Sequence, residues 1–442
     1  MKRIPLLISC LLIVLIMILT SCVQKDSPST DPMPDESPKE TASPPQTQSD
    51  VIIRLGMQFQ EDSVMAVYQA AKEKFEADNP GAVIEFVLQE RDLYDTIGLP
   101  TLLDGKNSPD IYFEWAGQRL IDRRAEGYLA PIPEMQGEWK EMFFESAFSG
   151  STFDGVPNMV PQSTDISVMI WYNVKMFEEL NISVPATWDE MLAACEKIKA
   201  ADKIPFAVGN KGFWPAGNWG GHIISRIVGE EAYSKALMGE SDFNTPDFAK
   251  AMDYLKELGI KGYINDDMSA LTDEEAGVLF YTGEAAMYPL GNWVVADMNA
   301  NAEEDFLADY FNLPAITGGK GDQTSVMGVN TGHVINAKTQ HHDLCVAFLK
   351  VFSSTENLIS MAQQGYLPPA KGVVTTENAD ALMVKMMDET LAGTGTVVAP
   401  PDTGYNLEIA NNLYEAIAKA LTGQYDSTEV LASLDEANAH LR

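Results

Sequence analysis

From residue 50 onward, short apolar runs alternate with segments in which apolar residues recur every three or four positions. Asp50 to Met57 is a run of strand length, and Val64, Val67, Tyr68, Ala71 and Phe75 then fall on one face of a helix. A second strand is expected over Ala82 to Leu88 and a helical stretch over Leu93 to Leu103. Pro109 introduces a third strand, Asp110 to Trp115, and a helix over Arg119 to Glu126 is stopped by Gly127. Strands alternating with helices predict a parallel sheet covered on both faces.

The pattern restarts after Pro161. A strand is expected over Ile166 to Tyr172. Thr187 with Glu190 forms a capping box for a helix through Ala200. Further strands are expected at Ile204 to Gly209 and Ala285 to Leu290, the latter running into Gly291, Asn292 and Trp293. Helices are expected at Asn218 to Val228, at Phe248 to Leu258 and, with a clear apolar face, at Leu407 to Leu421. This is a second α/β unit of similar size.

The start of the chain reads differently. Lys2 and Arg3 precede an apolar run from Ile4 to Leu19, which ends in small residues before Cys22. The run is short for a comfortable membrane span, and no charged stop-transfer cluster follows it. The arrangement resembles a bacterial lipobox, which implies a signal peptide over residues 1–21 and a diacylated Cys22. Residues 22–50 hold six prolines and, after Val23, no aromatic or β-branched aliphatic residue, so they are expected to form an extended tether.

About 390 residues remain, enough for two or three domains. The formal charge of -34 repels phosphate backbones and argues against nucleic acid as a partner. Cys195 and Cys345 each fall at an apolar helical position and are expected as buried free thiols. The five histidines show no metal-ligand spacing, and His341 with His342 reads as a solvated helix start. Gly318 to Gly321 lacks the spacing of a phosphate loop, and no GxSxG nucleophile motif occurs. No cofactor, metal or catalytic residue is therefore expected.

Ligands of parallel α/β sheets sit beyond the carboxyl ends of the strands. That rule selects Gln58 and Glu61, Glu114 and Trp115, Asn210 and Trp214, and Asn292 and Trp293, with Trp219 close by. Amides and carboxylates pair with hydroxyl groups, and tryptophan faces suit a sugar ring.

Several stretches together resemble the family 1 bacterial extracellular solute-binding proteins, which include oligosaccharide receptors of ABC importers. They are Pro109 to Gly117, Trp171-Tyr172-Asn173, Pro185 to Glu190, Phe280 to Met287 with Gly291-Asn292-Trp293, Phe311 to Pro314, and Gly365 to Pro368 with Tyr366. The resemblance runs from about Ile52 to the C-terminus.

It implies an α/β, two-lobed periplasmic-binding-protein-like fold of type II, each lobe a mostly parallel sheet with helices on both faces. Crossovers near Pro161, Phe311 to Pro314 and Gly365 to Pro369 would join the lobes. The N-terminal lobe would then comprise 51–160 and 315–364, and the C-terminal lobe 161–314 and 365–442. Trp293 falls where sugar receptors of the family carry a stacking tryptophan. Trp115 lies one position after a second such tryptophan, and Asp165 one residue from a crossover glutamate; Tyr366 completes the expected set.

The expectation is a monomeric extracytoplasmic receptor, lipid-anchored at the outer face of a Gram-positive-type membrane. It would capture a carbohydrate, an oligosaccharide first among them, and hand it to importer permeases. The same fold binding an amino acid, a polyamine or a glycerophosphodiester is the alternative, ahead of an anchored hydrolase or an adhesin.

Overall fold

The computed structural model describes residues 51–390 and 397–442, which leaves Cys22 and the proline-rich stretch outside the described residues. The first sheet opens with β1 (Val51–Gln58), β2 (Ala82–Gln89) and β3 (Ile111–Trp115), all parallel. Helix α1 (Asp62–Asp78) links the first two. It buries the five residues of its apolar stripe, each contributing roughly 1.5 to 3 kcal/mol for the larger side chains. Phe75 meets Phe348 edge to face, with ring centroids 5.8 Å apart. Helix α2 (Gln118–Ala125) follows β3.

The stretch expected as one strand from Ile166 to Tyr172 is instead two strands in two sheets. β4 (Val160–Ile166) belongs to the first sheet, and β5 (Met169–Asn173) opens the second. The chain therefore leaves the first lobe at Ser167, several residues later than the expected break after residue 160. The second sheet adds β6 (Ile204–Phe206), β7 (Ala285–Leu290) and β8 (Ala308–Phe311), in the order β8-β5-β7-β6.

Around it lie α3 (Trp188–Ala200), with the expected Thr187 and Glu190 capping box, and α4 (Trp214–Val228), α5 (Pro246–Ile260), α6 (Asp273–Tyr281) and α7 (Val294–Asn301). The box satisfies two backbone donors at the helix start and is worth about 1 kcal/mol.

β9 (Val326–Ile335) then returns to the first sheet, where it pairs with both β3 and β4. α8 (His342–Phe352) covers that sheet, β10 (Val397–Val398) joins its edge, and α9 (Leu407–Leu421) packs on the second lobe. Tyr366, Ala370 and Val373 pack into the first core and Leu367 packs with residues of the second lobe, so this crossover borders both.

Not all pairing is parallel. β9 runs against β3 and β4, and β5 runs against β7 and β8. The reason is the route of the chain: β5 and β9 enter their sheets from the cleft, whereas β1, β3 and β7 end there. Cys195 and Cys345 are buried free thiols, one in the core of each lobe. Burial pushes both thiols up, that of Cys345 to about 12.

Candidate functional site

A cleft lined by residues of both lobes lies between them. The strand-end rule places its walls. Gln58 and Gln60 come from the end of β1, Arg91 from the turn after β2, and Trp115 from the end of β3. Trp214 comes from the start of α4 and Trp293 from the turn after β7. The crossovers form its floor, with Gln162, Asp165 and Ser167 around the end of β4 and Val329 in β9.

Trp214 and Trp293 face one another with ring centroids 5.9 Å apart and a tilt of 50°. Gly291 makes this position of Trp293 possible, because a Cβ there would lie 2.1 Å from the indole ring. Across the cleft, Trp115 is braced edge to face by Phe113 at 4.8 Å, and the Arg119 guanidinium lies 4.5 Å from its ring centroid. Tyr366 donates a hydrogen bond of 2.6 Å to Gln60 Oε1.

Of the ten expected ligand-binding residues, the cleft brings together Gln58, Trp115, Asp165, Trp214, Trp293 and Tyr366. The other four lie off its wall. Glu114 points to the opposite side of β3 from Trp115, as the twofold period of a strand requires. Fully buried, it accepts from Arg123 Nε at 2.9 Å. Trp219 sits on the far face of α4, fully buried against Phe206. Asn210 caps the loop into α4, accepting from the Ala216 amide.

Asn292 is a crossover tie. Its Oδ1 accepts from Ile166 N at 2.8 Å, while its Nδ2 donates to Gly365 O at 3.2 Å, joining two passages between the lobes.

Sequence reasoning missed Gln60, Arg91, Arg119, Asn218, Asp402 and Thr403 on the wall. Arg119 lies in the first turn and Asn218 at the start of the second turn of helices that follow cleft-facing loops, so the strand-end rule extended into those helices would have included them. Arg91 reaches across the cleft to Asp273 at 3.2 Å, Glu274 at 3.4 Å and Asp297 at 3.9 Å, all on the second lobe. Burial raises the Asp297 carboxyl to about 6 despite the nearby arginine.

The floor carries a similar signature. Desolvation raises Asp165 to about 6, even though hydrogen bonds from Ser163 and Thr331 pull the other way, and its Oδ1 is buried without a partner. The indole N–H of Trp293 is also buried and unpaired. Among the described residues, no group of three or more His, Cys, Asp or Glu side chains is arranged to hold a metal ion.

The sequence profile of the bacterial extracellular solute-binding proteins matches residues 60–359. An ABC transporter extracellular-binding protein of Pyrococcus horikoshii is 27% identical over 62% of this chain and 61% of its own. The alpha-glucosides-binding periplasmic protein of Rhizobium meliloti is 22% identical over 58% of this chain and 59% of its own. The chain thus spans about three fifths of the length of the curated relatives it matches.

Among solved structures, a chitin oligosaccharide binding protein superimposes with a TM-score of 0.79 at 25% identity, over 88% of this chain and all of that one. A structure from the study of xylan utilization by Caldanaerobius polysaccharolyticus gives 0.79 at 22% identity, over 87% and 99%. The two-lobed α/β fold is shared with these neighbours. By its profile and by this architecture, the chain belongs to the bacterial extracellular solute-binding proteins.

Proposed function

We propose that the protein is an extracytoplasmic receptor of an ABC importer that captures a carbohydrate between its lobes. It is held to the membrane through a lipid on Cys22 and engages the importer's permease subunits when closed. The observation that carries this reading is the cleft itself, where Trp115, Trp214 and Trp293 flank a space floored by polar crossover residues. Flat aromatic faces stack on pyranose rings while amides and carboxylates take their hydroxyl groups. The chitin oligosaccharide binding protein and the alpha-glucosides-binding relative support carbohydrate as the ligand class.

A thermal-shift screen of mono- and oligosaccharides, amino acids and polyamines tests the class, since a ligand at a hundredfold excess over its dissociation constant stabilises the native state by about 2.7 kcal/mol. A saccharide is expected to raise Tm, and Trp293→Ala to abolish the shift while leaving the ligand-free Tm within a few degrees. A shift given only by amino acids or polyamines sinks the carbohydrate reading. For the anchor, metabolic labelling with a fatty acid in a bacterial host should mark the native chain and not Cys22→Ser; equal labelling of both removes Cys22 from its role.

A further inference from the structure

We infer that the turn Pro401–Gly404 supplies a hydrogen-bonding subsite of the cleft, through Asp402 and Thr403, and that it selects uncharged ligands rich in hydroxyl donors over anions. This rests on the carbohydrate reading and sharpens it. The turn is fixed from behind. Asp402 N donates to Tyr414 Oη at 3.2 Å, and Tyr414 Oη donates to Asn218 Oδ1 at 2.7 Å. From the opposite lobe, Arg119 Nε donates to the Asp402 carbonyl at 3.4 Å. The Asp402 backbone is therefore held on both sides, while two side-chain oxygens of the turn are not: Asp402 Oδ1 and Thr403 Oγ1 are both buried without a partner, and both residues line the cleft.

Buried polar atoms are nearly always hydrogen-bonded, so unpaired ones on a cavity wall mark where a ligand completes the network. Four such atoms belong to residues of this cleft: these two, Asp165 Oδ1 and Trp293 Nε1. Two of the four are carboxylate oxygens, which accept hydrogen bonds when ionised.

The cations on the same wall already face carboxylates. Arg91 meets Asp273, Glu274 and Asp297, and Arg119 lies 3.8 Å from Glu114 while stacking on Trp115. An incoming anion would meet Asp165 and Asp402 with the arginine charges already balanced by carboxylates, Arg119 by Glu114 and Asp402, whereas hydroxyl groups would donate to both. Thr403 Oγ1, at 4% residue exposure, accepts a further hydroxyl or donates to a ring oxygen.

The test is calorimetric titration of the full chain with neutral maltotriose, xylotriose, chitotriose and raffinose, the amine-bearing chitosan trimer, and anionic trigalacturonate. A neutral oligosaccharide should bind and trigalacturonate should not. Asp402→Asn and Thr403→Val should each weaken the neutral sugar by about tenfold or more. Ligand-free Tm values within about 2 °C of the native protein show that the variants fold; a variant below that range is replaced by Asp402→Ser or Thr403→Ala. Trp293→Ala serves as the control for the cleft.

If Trp293→Ala loses binding while both turn variants stay within about twofold, the subsite is overturned and the carbohydrate reading stands. Binding of trigalacturonate or of the chitosan trimer tighter than any neutral sugar overturns the selectivity. No binding by any saccharide overturns both.

Discussion

Asp165 is a buried carboxylate on the cleft floor whose position costs the ligand-free protein stability at neutral pH. Its carboxyl titrates at about 6, above the ordinary value near 4, so the folded protein holds that proton more tightly than the unfolded chain does. The associated stability is complete at pH values below about 4 and is lost as pH rises through about 6. Asp165→Asn is therefore expected to stabilise the ligand-free protein at pH 8 by on the order of 1 to 2 kcal/mol and to have little effect near pH 4. The same variant should lose most of its saccharide-induced shift. Thermal melts of both proteins across this range check the sign, and a difference that does not change with pH removes the titration argument.

At the scale of elements, α4 and α9 pack against each other in the second core. A Cβ on Gly220 would lie 2.6 Å from the Ile417 side chain, so the two helices approach at a distance only glycine permits. Gly220→Val should cost at least 1 to 3 kcal/mol, about the range for overpacked cores, as read in urea melts; an unchanged midpoint would show that the contact relaxes freely.

Legibility also divides by element. The α1 stripe and the Thr187 capping box were plain in the sequence because periodicity and caps are local. The crossovers were not. In β4, Gln162, Ser163, Thr164 and Asp165 form a polar run inside a largely buried strand, and hydrophobic patterning has no template for a strand that floors a cleft. Thr164 N donates to Leu367 O and Leu367 N to Ser163 Oγ, partners about two hundred positions away that no local pattern announces. Within the site, strand parity and helical phase distinguish Trp115 from Glu114 and Trp214 from Trp219; proximity to strand ends alone does not. Asp402 and Thr403 follow a two-residue strand, which leaves no periodic signal to point at them.

Among the described residues the lobes are in contact, and the Arg91 cluster links them electrostatically. Arg91, Asp273 and Asp297 are largely shielded from solvent, so breaking the cluster leaves buried carboxylates without their cation. Arg91→Met is expected to shift the ligand-free population toward open forms, seen as a larger radius of gyration by small-angle scattering and a severalfold weaker saccharide affinity, because closure then competes with repulsion among the acids. Identical scattering from both proteins would show that side-chain packing, not charge, holds the lobes together. Lowering pH below about 6 should act in the opposite sense to the variant, because Asp297, raised to about 6 where it is buried, binds its proton more tightly there than a solvated carboxyl does.

The two cysteines among the described residues give each lobe its own chemical clock. Cys195 and Cys345 are fully enclosed, one per core, and their raised thiol pKa values make both inert while the lobes stay folded. Alkylation at either site must therefore wait for that lobe to open. Peptide mass spectrometry after timed exposure to iodoacetamide would date the two openings independently in one sample, and would tell whether a bound ligand slows both lobes together or only one.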